Sequence, residues 1–362
     1  MKTKVLHIVT HFDLGGAERI AINIAKSPST DYEYHVVEVV RGSSDYSAFI
    51  LQELQAHHIK YHRAPIRGNK LSIILFPIWF LFIYLKYSPQ IIHTHTEVPD
   101  LSVYLFHFLQ KLTFRRVRYV RTIHNTVLWT KWNRIGNMVE RFFIRHDANI
   151  AISHAVQYSY QDKYKVKPPI VFNGVEVAKQ KDFQYIIPHK VNILFAGRLE
   201  YQKGIDERVS VITHFANDPS LFFHIIGSGS LRPKIEILTR FSNVSYYDKI
   251  YNLSQYLNSF DYVFMPSNFE GLATLSIESS LSRTPVIINS CKGLDETLPP
   301  NWPLKVNNNS VSGYIHIFQN LPHKKDYEKW VQIGYDYAKT LFSIEQMQQN
   351  YEGVYKSMKN LS

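Results

Sequence analysis

Nine short apolar runs recur along the chain, each separated from the next by a stretch long enough for a helix. Five fall in the first half, KVLHIVT, YHVVEVV, IIHTH, RYVRTIH and ANIAIS; four fall in the second, VNILFAG, LFFHIIG, DYVFMP and TPVIIN. Runs this apolar, without the alternation of a half-wet strand, predict parallel strands covered by helices on both faces. Two such sets predict an α/β fold of two doubly wound, Rossmann-like domains. Pro168, Pro169 and Gly174 in VKPPIVFNGVEVAKQKDF mark the changeover, giving domains 1–175 and 176–342, and the first strand of the second set starts at Val191. A last helix is predicted over 343–362, because Ser343 with Gln346 three residues on has capping-box spacing.

One segment departs from this alternation. LSIILFPIWFLFIYL, residues 71–85, is uncharged and bracketed by Lys70 and Lys86. It falls short of the roughly 20 residues of a bilayer span and contains Pro77, so two readings stand: a buried helix, or one bedded in the membrane interface with Trp79 and Phe80 reaching lipid. Charge bears on the choice. The net charge of +11 is concentrated in residues 1–180, with 23 Lys+Arg against 13 Asp+Glu, while the remainder has 18 against 17. Lys111, Arg115, Arg116, Arg118, Arg121, Lys131, Arg134, Arg141 and Arg145 alternate with aromatic residues and Met, a pattern that attracts polyanions: anionic lipid, nucleic acid or a pyrophosphate. No helix-turn-helix, zinc or RNA-binding motif accompanies them, so a nucleic-acid-binding protein is the lesser alternative and an anionic membrane surface the expected partner.

Composition adds bounds. At 362 residues, 45% hydrophobic and 20% charged, the chain is a folded protein too long for one core. The first strand begins at residue 4 with no signal-peptide pattern before it, and Cys291, the single cysteine, can form no internal disulfide, so a cytoplasmic location is expected.

Open parallel sheets bind ligands beyond the carboxyl ends of their strands, which directs attention to four loops. HFDLGGAER places Gly15 and Gly16 before a helix whose N-terminal amides suit an anion. GRLEYQKG supplies Arg198 and Lys203, a forked and a point cation fit for a diphosphate. GSGS brings Gly227 and Gly229 as a flexible loop able to approach a ligand closely. PSNFEGLATLSIESSL holds Glu270 in a loop and Glu278 one to two turns into a helix starting near Leu272 to Leu275, with the amides of Gly271, Leu272 and Ala273 between them. A nucleotide sugar presents ribose hydroxyls, a diphosphate and sugar hydroxyls in a row; carboxylates suit its two ends and cations its middle. A dinucleotide dehydrogenase is disfavoured, since no Gly-x-Gly-x-x-Gly follows the first strand. His93 and His95 share a strand face, but no third ligand has metal-site spacing, so a structural or acceptor-side role is expected for them. Cys291 reads as a bystander.

GGAER, IIHTHTEVPD, RTIHN, FNGV, GRLEYQKG, GSG and the Glu-x7-Glu segment followed by TPVI occur in an order that resembles the family 4 retaining glycosyltransferases of the GT-B fold, over nearly the whole chain. The resemblance implies donor binding by the second domain, acceptor binding mainly by the first, chemistry in a central cleft, and a final helix that packs back on the first domain. It implies that Arg198 and Lys203 hold the donor diphosphate, Glu278 the ribose and Glu270 the transferred sugar, with Gly15 and Gly16 near the reacting centre and His124 assisting catalysis. No metal or other cofactor is implied; the substrate is a UDP- or GDP-linked sugar and retention follows front-face attack. The acceptor expected is a lipid-linked saccharide, polyprenyl-pyrophosphate in type, in surface-polysaccharide assembly at the inner face of the cell membrane. A GT-B-like protein that binds without turnover is the alternative. Three departures from the family pattern are Arg283 in SSLSRTPVI, CKGLDE in place of a Gly-Gly, and Arg208 where an apolar residue is common.

Overall fold

In a computed structural model the chain forms two compact units, Met1–Gly174 with Ile344–Ser362, and Val175–Ser343. The structure describes residues 2–13, 15–130, 132–321 and 324–359. Lys131 and the last three positions of the predicted final helix lie outside them.

The first unit runs β1 (Thr3–Val9), α1 (Gly16–Ala25), β2 (Tyr32–Glu38), α2 (Asp45–Ala56), β3 (Lys60–His62), α3 (Asn69–Tyr87), β4 (Ile91–Thr94), α4 (Glu97–Lys111), β5 (Arg118–Ile123), α5 (Asn133–Arg145), β6 (Asn149–Ala151) and α6 (His154–Tyr164). Its six strands are all parallel, in the order β3-β2-β1-β4-β5-β6. The second unit runs β7 (Val191–Ala196), α7 (Ile205–His214), β8 (Leu221–Ile226), α8 (Arg232–Glu236), β9 (Val244–Tyr247), β10 (Tyr262–Met265), α9 (Thr274–Leu281), β11 (Val286–Asn289), β12 (Lys305–Val306), α10 (Val311–Gln319) and α11 (Lys324–Phe342). Its sheet, β12-β11-β10-β7-β8-β9, is also parallel throughout. Both sheets reverse their winding beside the first strand, between β1 and β4 and between β7 and β10.

The central strands are buried because both faces are covered: β8 is buried at all six positions, and β1 and β2 at all but one. The three strands that no apolar run announced, β3, β9 and β12, are short sheet edges with partly exposed residues. A final helix, α12 (Ile344–Lys359), returns to the first unit and packs on α1, burying Met347, Tyr351 and Tyr355. Gln348 donates to the Asn23 carbonyl at 2.7 Å, and Ser27 donates to Glu352 at 2.6 Å.

Helix α3 continues through Pro77 and ends at Ser88 in the left-handed region, whose N–H donates to the Tyr84 carbonyl at 2.9 Å. One side faces the protein: Ile73, Phe76, Phe80 and Tyr84 are buried, and Phe80 and Tyr84 both pack against Phe106 of α4. Phe80 therefore belongs to the core and Trp79 is half-buried, which corrects the assignment of this pair to lipid.

Arg121 also moves inside. Its Nε donates to Asp100 at 2.7 Å and its Nη atoms to both Glu140 oxygens at 2.7 and 2.8 Å, while Trp129 and Tyr160 donate to the same carboxylate. It is 1% exposed, so it adds nothing to the basic surface. Desolvation raises the Asp100 pKa to about 7 despite the guanidinium, whereas Glu140, with more donors, is held below its ordinary value. Removing one member strands buried charge, so Arg121→Met is expected to lower unfolding free energy by about 3–5 kcal/mol. Urea titration measures it; a loss under about 1 kcal/mol would show the network to be energetically idle.

Candidate active site

The loops after β7 and β10 leave the second sheet at its switch point, and they are tied together there. Lys203 Nζ lies 2.6 Å from Glu270 Oε1, with the lysine 19% and the carboxylate 6% exposed. Gln202 donates to Glu270 Oε2 at 3.3 Å and to the Phe269 carbonyl at 3.1 Å, and accepts from Arg198 at 3.1 Å. Arg198, Gln202, Lys203 and Glu270 thus form one hydrogen-bonded chain, with Arg198 exposed at its outer end. Gln202 carries no signal in the sequence, because an amide between two cations forms no motif of its own.

Backbone contacts fix this pairing. The Asn268 N–H donates to the Gln202 carbonyl at 2.8 Å, and its side chain to the Tyr201 carbonyl at 2.8 Å. Gly204 has φ of +62° at the start of α7, and a Cβ there would fall 1.7 Å from the Pro266 carbonyl, so only glycine lets the loops meet. Gly293, in the CKGLDE departure, has φ of +78° and a Cβ there would fall 2.2 Å from the Glu270 carbonyl. The glycine needed beside the acid is therefore present. The Ala273 N–H donates to the Gly293 carbonyl at 2.9 Å, which removes it from the three amides assigned to a ligand. Leu272 and Gly271 lie in the turn before α9, partly exposed.

The GSGS segment is held more firmly than the flexible loop expected. The Gly197 N–H donates to Ile226, Leu199 to Ser228 and Leu231 back to Leu199, while Glu200 accepts from the Ser230 N–H at 2.8 Å and hydroxyl at 2.6 Å. Gly227 and Gly229 lie against the backbone of Gly197 and Leu199, leaving no room for a Cβ.

Glu278 sits four residues into α9. Among the described residues its carboxylate has no hydrogen-bond or ion-pair partner, and burial pushes its pKa up to about 7. Cys291 is half-buried near Glu270; burial first, then the charges of Glu270 and Asp295, push its thiol up to about 12, so it stays protonated and unreactive. Arg208 is fully buried against the face of Phe195, its Nη2 donating to the Lys203 carbonyl at 2.8 Å while Nε and Nη1 lack partners among the described residues. Burial pulls its pKa down, yet a guanidinium keeps its proton at neutral pH, so a positive charge is stored beneath the lysine loop.

In the first unit, Gly15 and Gly16 open α1 at the switch beside β1. Glu18, a residue sequence reading passed over, folds its carboxylate over Gly15, leaving no space for a Cβ there. Desolvation raises its pKa, opposed by hydrogen bonds from its own amide and from Thr10. The N-terminal amides of α1 thus already face one internal carboxylate.

His124 directly follows β5, its Nε2 without a partner among the described residues, and burial holds its pKa down to about 3. Its ring lies 5.8 Å from that of His95. His7, His93 and His95 bring ring nitrogens within 4.8 Å of one another, so the third imidazole missing from the local spacing comes from β1. His93 is hydrogen-bonded at both nitrogens, to Tyr355 at 2.8 Å and Thr122 at 2.7 Å, and His7 pairs with His95 at 2.9 Å. With no carboxylate in the group and all three imidazoles shifted towards neutrality, the cluster is a hydrogen-bonded part of the core.

Residues 14–179 match the family model described as Glycosyltransferase Family 4, and residues 190–316 match that described as Glycosyl transferases group 1. The chain belongs to the family 4 glycosyltransferases of the GT-B fold. A glycosyltransferase from Rickettsia africae superposes with a TM-score of 0.80 at 18% identity, covering 100% of both chains. HepE from Anabaena, in complex with UDP-glucose, superposes with a TM-score of 0.77 at 16% identity, over 98% of this chain and 99% of that one. These likenesses concern the fold. By sequence, the chain is 28% identical over 239 residues to an uncharacterized 41.2 kDa protein in the cps region of Klebsiella pneumoniae, spanning 59% of this chain and 64% of that relative. It is 22% identical over 307 residues to the capsular polysaccharide biosynthesis glycosyltransferase CapH of Staphylococcus aureus, spanning 80% of this chain and 82% of that one.

Within this glycosyltransferase the unpartnered Glu278 makes a pH signature. Its folded pKa of about 7 lies above the ordinary 4.5, so its contribution to stability is full below pH 4.5 and falls as pH rises through 7. The melting temperature of Glu278→Gln is therefore expected to gain on that of the parent as pH rises across this window. Parallel pH profiles would show the carboxylate to be well solvated in the folded chain.

Proposed function

We propose that this protein is a retaining glycosyltransferase that moves a hexose or related sugar from a UDP- or GDP-linked donor to a lipid-linked saccharide in surface-polysaccharide assembly. The observation that carries the reading is the 2.6 Å Lys203–Glu270 pair at the switch point of the second sheet, with Arg198 joined to it through Gln202. A donor needs cations at its diphosphate and a carboxylate at the sugar hydroxyls beside it, and this chain of side chains offers both.

In the reaction, the bond from the anomeric carbon to the donor phosphate oxygen breaks, its electron pair leaving with the diphosphate. The acceptor hydroxyl oxygen forms the new bond on the same face, and its proton passes to that phosphate oxygen. Lys203 and Arg198 offset the charge that accumulates on the leaving group, with side-chain cations in place of a metal. Glu270 orients sugar hydroxyls, and Glu278, lacking a protein partner, takes the ribose. His124, neutral at physiological pH, serves as a hydrogen-bonding group at the sugar. The named role of CapH in capsule biosynthesis and the UDP-glucose complex of HepE support the pathway and the donor class.

Nucleotide release from a panel of UDP- and GDP-sugars with lipid-linked acceptors tests the reading. Lys203→Ala and Arg198→Ala are each expected to lower turnover by roughly two to three orders of magnitude with circular dichroism unchanged. Undiminished turnover in both variants would refute the phosphate assignment, and thermal shifts with UDP against GDP identify the base.

A further inference from the structure

We propose that the outer face of α3, extended by the turn at the end of α4, is a docking surface for the interface of an anionic bilayer. Leu71, Ile74, Ile78, Phe82 and Leu85 are spaced three or four residues apart, which stacks them in one stripe along α3. They are 53%, 65%, 55%, 71% and 41% exposed. The opposite side of the same helix carries the buried Ile73, Phe76, Phe80 and Tyr84. The stripe is therefore apolar surface that the fold leaves uncovered, longer than the scattered single residues normal on a protein.

The next turn joins it. Arg115 donates from Nη1 to the Leu85 carbonyl at 3.0 Å and to the Ser88 hydroxyl at 2.7 Å, pinning the end of α4 against the end of α3. This pin holds Phe114, 96% exposed and at a φ of +54°, near the C-terminal end of the stripe, with Leu112 also exposed. Lys86, Lys111 and Arg116 are exposed around them.

Charge decides the occupant. Across residues 54–139 there are twelve Lys and Arg and two acids, Glu97 and Asp100; Arg121 and Asp100 are buried against each other, which leaves eleven cations and one acid. A second copy of the chain meeting this face symmetrically would set like charges against each other. Anionic head groups complement the cations, while the aliphatic and aromatic stripe suits the acyl boundary just below. Spanning is excluded by the fold, since crossing would pull Phe76, Phe80 and Tyr84 from the core. Phosphatidylglycerol-like lipid is the chemistry that fits.

The inference deepens the reading of a lipid-linked acceptor but is tested apart from it. Flotation of the full chain uses vesicles of phosphatidylcholine alone and of phosphatidylcholine mixed with phosphatidylglycerol. Binding to the mixed vesicles, lost in high salt, is expected, and Ile74→Ser, Ile78→Ser and Phe82→Ser combined should weaken it at least about tenfold. Lys86→Ser, Lys111→Ser and Arg116→Ser combined should abolish the preference for anionic vesicles. Nucleotide-induced thermal shifts should be unchanged in both, which verifies folding and an intact second unit. Equal flotation of the apolar variant and the parent, or no flotation of the parent, overturns the proposal. A parent dimer that the apolar variant makes monomeric by light scattering would assign the face to a second copy instead. A parent that floats but releases no nucleotide leaves this surface standing and removes the transferase reading.

Discussion

The contact between Lys203 and Glu270 organises the second unit's chemistry. Neither loop would hold a charged side chain at low exposure alone; each charge is tolerated because the other lies 2.6 Å away. The surrounding sequence serves that approach. Gly204 removes a Cβ that would strike Pro266, Gly293 removes one that would strike Glu270, and Asn268 stitches the loops together through the backbone. A switch point in a parallel sheet provides the opening, because the helices on either side of it lead away in opposite directions. The pair then fills that opening with one cation and one acid whose charges offset each other.

How far the fold was legible follows from burial. Strands covered on both faces declare themselves as apolar runs, which is why the interior strands of both sheets could be read. β3, β9 and β12 could not, since these edge strands are partly exposed and have no continuous run, whereas β6, also an edge, is buried throughout and reads as ANIAIS. Helix α3 shows the opposite difficulty. It is apolar all round, so its composition has no period from which to tell the core side from the open side. Packing against Phe106 resolves the direction, and it places Phe80 inside and Phe82 outside.

Site residues divide along the same line. Arg198, Lys203 and Glu270 were visible as charges in loops after strands, and Glu278 through its spacing from Glu270 at the head of the next helix. Gln202, Glu18 and Gly293 were not, since each matters through a neighbour brought close by folding. His7 completes a histidine cluster from a strand 86 residues before His93, a pairing that only sheet register supplies. Arg121 was misread for the same reason: within RYVRT it looks like one more surface cation, and its acids, Asp100 and Glu140, arrive from α4 and α5.

The distribution of charge ties these threads together. A protein that binds an anionic nucleotide donor would be expected to concentrate its positive charge in the half proposed to bind it, yet residues 181–362 are almost neutral. The proposed donor site needs few cations because position substitutes for number: a lysine and an arginine at a switch point, one of them partly desolvated, would act on a diphosphate at short range with little intervening water. A dispersed basic surface acts differently. Its effect reaches only about 10 Å through salt solution, so it suits an extended anion rather than a small one. Lys86, Lys111 and Arg116 are exposed around the uncovered apolar face of α3, and on the proposed docking each can meet a separate head group. On the proposed reading the two halves carry charge in the forms two different anions require, a point site for a nucleotide donor and a field for a membrane surface.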